Sequence, residues 1–294
     1  CVYFKEMKEA NQLIEEFMLL ANRKVAEFVG RKRQGVQNSE RTFVYRVHDK
    51  PNSDKLAQLR SFVMRFGYQM KSDAVGKALA KDINKLMTNV HGKQEENLIS
   101  TLAIRTMAKA TYTTTNIGHY GLAFDYYTHF TSPIRRYPDM MVHRLLAHYL
   151  AGGKSEDKEY YEGLCEHSSA MEIRAADAER ASIKYKMVEF MLDKLDQEFD
   201  GHISGVTEWG IYIELDDTKI EGMVSLRDLT DDYYTFDEEN YCLRGERTGR
   251  IFTLGDGVRI RVMRADLARK QLDFALTATY DFDTKKATPV QETL

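Results

Sequence analysis

The chain has 294 residues, 43% hydrophobic and 30% charged, with 4 prolines and a formal net charge of −3. That balance suits one large or two ordinary globular domains and excludes a disordered or low-complexity chain. No stretch approaches the run of about 18 apolar residues that a membrane-spanning helix needs.

The first two-thirds reads as helices. From Met7 the apolar positions Met7, Ala10, Leu13, Ile14, Phe17, Met18, Ala21, Val25 and Phe28 follow three-and-four spacing, which predicts a helix with one stripe packed inward. Pro51 and Ser53 open a second helix carrying Leu56, Leu59, Phe62, Val63 and Phe66, with Gly67 placed to stop it. Further helices are expected near 73–90 and 94–110. The segment 111–127, rich in Thr and Gly, reads as loop and short strand. Pro138 starts a helix running to Leu150, and a long helix follows from about Lys158 to Leu195. At Phe199 the period changes to alternation, punctuated by Gly201, Gly205, Gly210, Gly222, Gly255 and Gly257. About 80 residues of short, evenly spaced strands predict a small barrel, for which an OB fold is the natural candidate. The fold class is therefore α+β, a mainly helical part (1–198) followed by an all-β barrel (199–279). The polar segment 280–294 is expected to be a loose tail.

The start, CVYFKEMKEA, has neither Met nor a charged-then-apolar leader, so a cytoplasmic protein incomplete at its start is expected. Cys1, Cys165 and Cys242, odd in number and widely spaced, suit a reducing compartment and form no metal-ligand pattern. Although the net charge is negative, Arg244, Arg247, Arg250, Arg259, Arg261, Arg264, Arg269 and Lys270 concentrate positive charge late in the chain. Arg31-Lys32-Arg33 form a second basic run. Such patches govern affinity for a polyanion more than the whole-chain sum does.

The most informative stretch is HFTSPIRRYPDMMVHR, His129 to Arg144. Pro133 and Pro138 stiffen the segment around Arg135 and Arg136. Two guanidinium forks beside the hydroxyls of Thr131, Ser132 and Tyr137 suit phosphate groups, and on spacing alone they suit salt bridges to a neighbouring helix equally well. Asp139 sits where a carboxylate complements a helix dipole, and reads first as a cap. His119, His129 and His143 lie close by, but their spacing matches no metal motif, and His119 and His143 read as buried, hydrogen-bonded core histidines. Cys165 and His167 face different sides of a helix and form no nucleophile pair.

This stretch resembles the signature of the RNB-domain exoribonucleases, the family of RNase II and RNase R. EANQLIEEFMLLAN at 9–22, RVHDKP at 46–51 and GHYGLAF at 118–124 are similar to that family in the same order, closest to RNase R. The resemblance implies a processive hydrolytic 3′→5′ exoribonuclease that degrades single-stranded or structured RNA to nucleoside 5′-monophosphates. It also implies Mg²⁺ or Mn²⁺, with Arg135 on the scissile phosphate, Arg136 in support and Glu179 against the terminal base. The segment 199–279 resembles the S-one-type RNA-binding barrel. That likeness implies that Trp209 and Tyr212 stack on bases and that Asp266 and Arg269 form a polar contact pair. Ser225 stands where many such barrels carry a histidine.

The family's metal-binding aspartate string, of the form DxxxxxDxDD, does not occur in this sequence. Asp216-Asp217 and Asp231-Asp232 read as turn residues. The metal ligands are thus expected upstream, in the missing N-terminal half of the same polypeptide, and the isolated chain is expected to be inactive. RNA-decay or ribosome-associated proteins are the further partners such an enzyme implies. A non-catalytic single-stranded RNA-binding module remains an alternative, as does a metal-histidine hydrolase built on the histidines.

Overall fold

The structure, a computed structural model, describes residues 8–31, 41–71, 77–93, 96–238, 240–280 and 287–289. The sequence expectations for Cys1, Met7, Lys32, Arg33, 73–76, 94–95, 281–286 and 290–294 lie outside the described residues.

The helical part contains α1 (Glu9–Gly30), α2 (Ser53–Met64), α3 (Lys77–Val90), α4 (Glu96–Thr106), α5 (Tyr137–Leu150) and α6 (Lys158–Met191). Two short strands, β1 (Tyr45–Val47) and β2 (Thr111–Thr113), pair antiparallel between them. Local chemistry sets the ends. Asn52 caps α2 by accepting from Asp54 N and Lys55 N, both at 3.0 Å, and Asp157 caps α6 by accepting from Glu159 N at 2.8 Å. Gly67 turns the chain after α2 with φ +79°. The long helix stops at Met191, four residues short of the expected Leu195, and continues as one 3₁₀ turn, Leu192–Lys194.

Two buried clusters hold the molecule. One joins Ala26 of α1, Val44, Tyr112 of β2, Val142 and Leu145 of α5 and Cys165 of α6. The other joins α2, α3 and α4 to Val188 and Met191 at the end of α6 and to the barrel interior, so it runs across the expected boundary between 198 and 199. Helix α6 links the clusters at its two ends, and between them every residue from Ala170 to Arg180 is exposed.

The apolar stripe of α1 departs from expectation. Leu13, Ile14, Phe17 and Phe28 are exposed rather than packed inward. The buried residues of this helix are Asn22, Ala26 and Glu27, all towards its C-terminal end. Residues 8–17 are all exposed, so the start of the stripe is not covered by the described residues.

The second half is the expected barrel. Strands β3 (Glu198–Thr207), β4 (Gly210–Leu215), β5 (Glu221–Ser225), β9 (Gly257–Asp266) and β10 (Gln271–Tyr280) run in the order β10-β5-β4-β3-β9, and β9 returns to pair with β10. That pairing closes the sheet and removes its edges. Only β5–β10 is parallel. Ile211, Ile213, Val224, Val262 and Phe274 point inward and are fully or nearly fully buried. Gly210 is obligatory: at φ +149° its added Cβ would lie 2.1 Å from the Val224 oxygen. Between β5 and β9 the chain inserts a separate sheet of β6 (Tyr234–Asp237), β7 (Cys242–Gly245) and β8 (Ile251–Thr253). Within the expected loose tail, Ala287–Pro289 forms β11 and pairs with β10, a correction for those three residues.

Candidate nucleic-acid interface

The segment Thr131–Arg136 is a turn whose parts are nearly all tied down. Arg135 N and Arg136 N both donate to Ser132 O, at 3.3 and 3.0 Å. Asp139, fully buried in the first turn of α5, accepts from Ser132 N at 2.7 Å and from Arg136 Nη2 at 2.9 Å with the same oxygen. It therefore does not cap α5, whose N-cap is Arg136, and the expected capping role is replaced by a cross-tie to the preceding turn. Arg136 folds back into this pair, whereas Arg135 makes no ion pair or side-chain hydrogen bond among the described residues and stands exposed at the apex. Ile134 beside it is fully exposed, and Tyr137 is exposed as well. Ser132 contributes its main chain to the turn, and the Thr131 hydroxyl is buried without a partner.

Polar and aromatic groups beneath the turn fix it to the helical part. Asn22 of α1 donates to the Tyr127 hydroxyl at 3.2 Å and accepts from Phe130 N at 2.9 Å. The Phe130 ring stacks on His143 with centroids 4.0 Å apart, and His143 donates to Phe130 O at 2.9 Å. Arg46 of β1 lies over the Tyr112 ring at 4.5 Å and forks onto both carboxylate oxygens of Glu172 in α6, at 2.6 and 3.1 Å. Burial pushes the Tyr112 hydroxyl up to about 12, so it stays protonated and donates to His129 Nδ1 at 2.8 Å. Burial, reinforced by the guanidinium groups of Arg136 and Arg46, pulls His129 down to about 3. Burial and the neighbouring His48 likewise pull His119 down to about 4. Both are neutral imidazoles inside a hydrogen-bonded scaffold, in keeping with the sequence expectation for His119. Burial raises the Cys165 thiol to about 12, so it packs as core.

Glu179 lies on the exposed middle of α6, and no hydrogen bond or ion pair joins it to Arg135 or Arg136. Seven residues separate it from Glu172, which places it on the same helix face about 10 Å further along the axis. Glu172, anchored under the turn through Arg46, fixes the direction in which that face runs.

The barrel collects the remaining expected residues on its outer surface. Trp209 sits in the β3–β4 turn and is 68% exposed, which removes the core reading of that ring. Tyr212 of β4 faces Met223 of β5, Met223 faces Asp273 of β10, and Asp273 faces Arg264 of β9, forming one row across four strands. In the neighbouring register Gly210 faces Ser225 and Gln271 faces Asp266. Asp266 and Arg269 are joined through the main chain, Arg269 N donating to Asp266 Oδ1 at 2.9 Å, while the other carboxylate oxygen pairs with Arg264 at 3.1 Å. The Arg269 hydrogen bond and the nearby Arg264 charge lower the Asp266 carboxyl.

Four of the eight late basic residues, Arg250, Arg259, Arg261 and Arg264, are paired with carboxylates. Arg250 pairs with Asp231 at 2.7 Å, Arg259 with Asp200 at 2.7 Å, Arg261 with Glu198 at 2.9 Å, and Arg247 donates to Asp231 O at 2.7 Å. The late concentration of positive charge is therefore smaller than the sequence alone suggests, because antiparallel pairing sets Asp200 and Glu198 of β3 directly opposite Arg259 and Arg261 of β9. Arg244, Arg269 and Lys270 have no side-chain acceptor among the described residues. Asp231 and Asp232 act as expected in a turn. Although burial disfavours its charge, Asp232 is held ionised by hydrogen bonds from Thr248, Arg247 N and Tyr233 N.

No group of three or more His, Cys, Asp or Glu side chains gathers to hold a metal among the described residues. The donor set required by a divalent-metal centre is thus not provided by them.

Sequence reasoning missed Asn22, Arg46 and Glu172. The signal lay in two of the quoted words. Asn22 is a polar residue set within an apolar helical repeat, and Arg46 stands in a short strand between Tyr45 and Val47.

Residues 2–152 match the family profile described as RNB domain, and residues 192–277 match the S1 RNA binding domain. The chain belongs to the RNB domain family. Among its relatives, Ribonuclease R of Aquifex aeolicus is 38% identical over 94% of this chain and 38% of that protein. Ribonuclease R 1 of Lactococcus lactis is 40% identical over 90% of this chain and 32% of that protein. Mycoplasma genitalium RNase R in complex with ribose methylated single-stranded RNA is 27% identical, with a TM-score of 0.80, over 93% of this chain and 42% of that one. The chain thus spans about two fifths or less of the length of these relatives.

Proposed function

We propose that the chain is the C-terminal part of a processive, hydrolytic 3′→5′ exoribonuclease of the RNase R type. Its substrate is single-stranded or structured RNA and its products are nucleoside 5′-monophosphates. Residues 1–198 contribute to the catalytic domain, and 199–279 form an RNA-binding barrel. Magnesium or manganese ligands come from elsewhere in the same polypeptide, and the enzyme works in the cytoplasm.

One observation carries this reading. Arg135 is a cation unpaired among the described residues, at the apex of a turn otherwise pinned by Asp139, Asn22 and His143, within a chain whose relatives are ribonucleases. A preorganised guanidinium that need not break an internal ion pair can stabilise charge developing on a phosphate oxygen, typically worth about 3–4 kcal/mol of barrier in a dry site. Tyr137 and Ser132 border the same apex, Glu179 extends the site along α6, and the barrel row from Tyr212 to Arg264 holds strand upstream. The test is Arg135→Ala in the full-length enzyme with 5′-labelled RNA. kcat should fall far more than RNA affinity, because a groove with many contacts tolerates the loss of one. A variant with normal turnover and tenfold weaker binding would show that Arg135 only grips the strand.

A further inference from the structure

We propose that Asp139 is a positioning residue for this site and that Arg136 is its structural partner rather than a second phosphate ligand. The proposal rests on the exoribonuclease reading above. A single carboxylate oxygen of Asp139 ties together the start of the turn, at Ser132 N (2.7 Å), and its end, at Arg136 Nη2 (2.9 Å). Because Asp139 is itself fixed in the first turn of α5, the two bonds hold the three-residue loop between Ser132 and Arg136 in one conformation. That conformation aims Ile134 and Arg135 outward and turns Arg136 inward, where its side chain is 22% exposed.

Burial is what gives the device its rigidity. A fully buried carboxylate cannot trade Arg136 for water, so the pair is far more persistent than a surface salt bridge. Its second oxygen is also buried and has no partner among the described residues, which leaves the carboxylate dependent on Arg136 and Ser132 N for all its compensation. Drawing Arg136 out to a phosphate would strand that charge. The adjacent arginines therefore divide the work, one held inside as the buckle and one presented at the apex.

The experiment has a structural and a kinetic arm, both on the full-length polypeptide. In the structural arm, hydrogen exchange of the Ser132 amide should be slow in the unaltered protein and at least tenfold faster in Asp139→Ala and Asp139→Asn, with exchange in α2–α4 unchanged. Equal Ser132 exchange in all three proteins would overturn the buckle whether or not the polypeptide degrades RNA. In the kinetic arm, Asp139→Asn and Arg136→Ala should lower kcat at least tenfold with KM within about twofold. Added guanidinium should restore activity to Arg135→Ala but not to Arg136→Ala. Rescue of Arg136→Ala to the same extent would make Arg136 a phosphate ligand and overturn the division of labour. Absence of RNA degradation by the unaltered polypeptide would instead sink the exoribonuclease reading, and with it the catalytic half of the proposal.

Discussion

Asn22 accepts the main-chain N–H of Phe130 at 2.9 Å across 108 residues of sequence, so the C-terminal half of α1 sets the height of the loop that presents Arg135. The same side chain donates to the Tyr127 hydroxyl, and Asn22 is only 3% exposed. Asn22→Ala should therefore leave a buried N–H and a half-satisfied phenol, at a cost of about 2–3 kcal/mol of stability. Urea unfolding would register this as a lower midpoint with an unchanged slope. A loss under about 0.5 kcal/mol would mean that the loop is held without α1.

Acid should loosen the same region. The folded pKa values of His129 and His119 lie near 3 and 4, below the ordinary histidine value of about 6.5. Between those limits the unfolded chain binds protons that the folded chain refuses, so stability falls as pH falls. The effect is absent above pH 6.5 and approaches about 1.4 kcal/mol per pH unit for each histidine below it. Other groups also change charge over this range, so the informative quantity is a difference between proteins. The loss on going from pH 7.5 to 5.5 should be smaller in His129→Gln than in the unaltered chain. An equal loss in both would remove His129 from the account.

Ion pairing in the barrel makes its arginines unequal. Arg259 is forked onto Asp200, which also accepts from the Tyr280 hydroxyl at 2.7 Å, whereas the Arg269 side chain has no acceptor among the described residues. Arg269→Ala should weaken single-stranded RNA binding several-fold and reduce the log–log salt slope by about 0.7, the share of one phosphate contact. Arg259→Ala should change affinity by less than about twofold. Filter binding between 50 and 200 mM salt separates the cases, and the reverse ranking would place the RNA on the β3–β9 side of the barrel.

What the sequence made legible follows from the range of the forces involved. Helix positions came from local periodicity and caps, and the barrel from alternation and glycine spacing, all set by near neighbours in the chain. Which cations are free could not be read that way. The partners of Arg259 and Arg46 lie 59 and 126 residues away, and only register and tertiary packing bring them together. Asp139 shows the limit most clearly. Its position at a helix start suggested a cap, but the turn before it, fixed by Pro133 and Asn22, supplied better donors. The exposed Leu13, Ile14 and Phe17 show the converse, since periodicity reveals that a face is apolar and not what covers it.

The barrel supplies its own reporter, because Trp209 is the only tryptophan in the chain. Its ring is 68% exposed at the tip of the β3–β4 turn, which is fixed by the main chain: Trp209 O accepts from Leu226 N at 2.9 Å. Removing the ring should therefore cost little stability, and Trp209→Ala should melt within a few degrees of the unaltered chain. Its neighbour Tyr212 lies on the outer row, opposite Gly205 on one side, where the absent side chain leaves the ring uncovered, and Met223 on the other. Two aromatics so placed offer stacking faces to unpaired bases, and each stacked base is typically worth about 1–3 kcal/mol. Single-stranded RNA should quench the Trp209 emission, and base-paired RNA should do so much less, because a duplex hides its base faces. Trp209→Ala should weaken single-strand binding by that amount while leaving circular dichroism unchanged. Emission that stays constant while RNA saturates the chain would show that the strand follows a different face of the barrel.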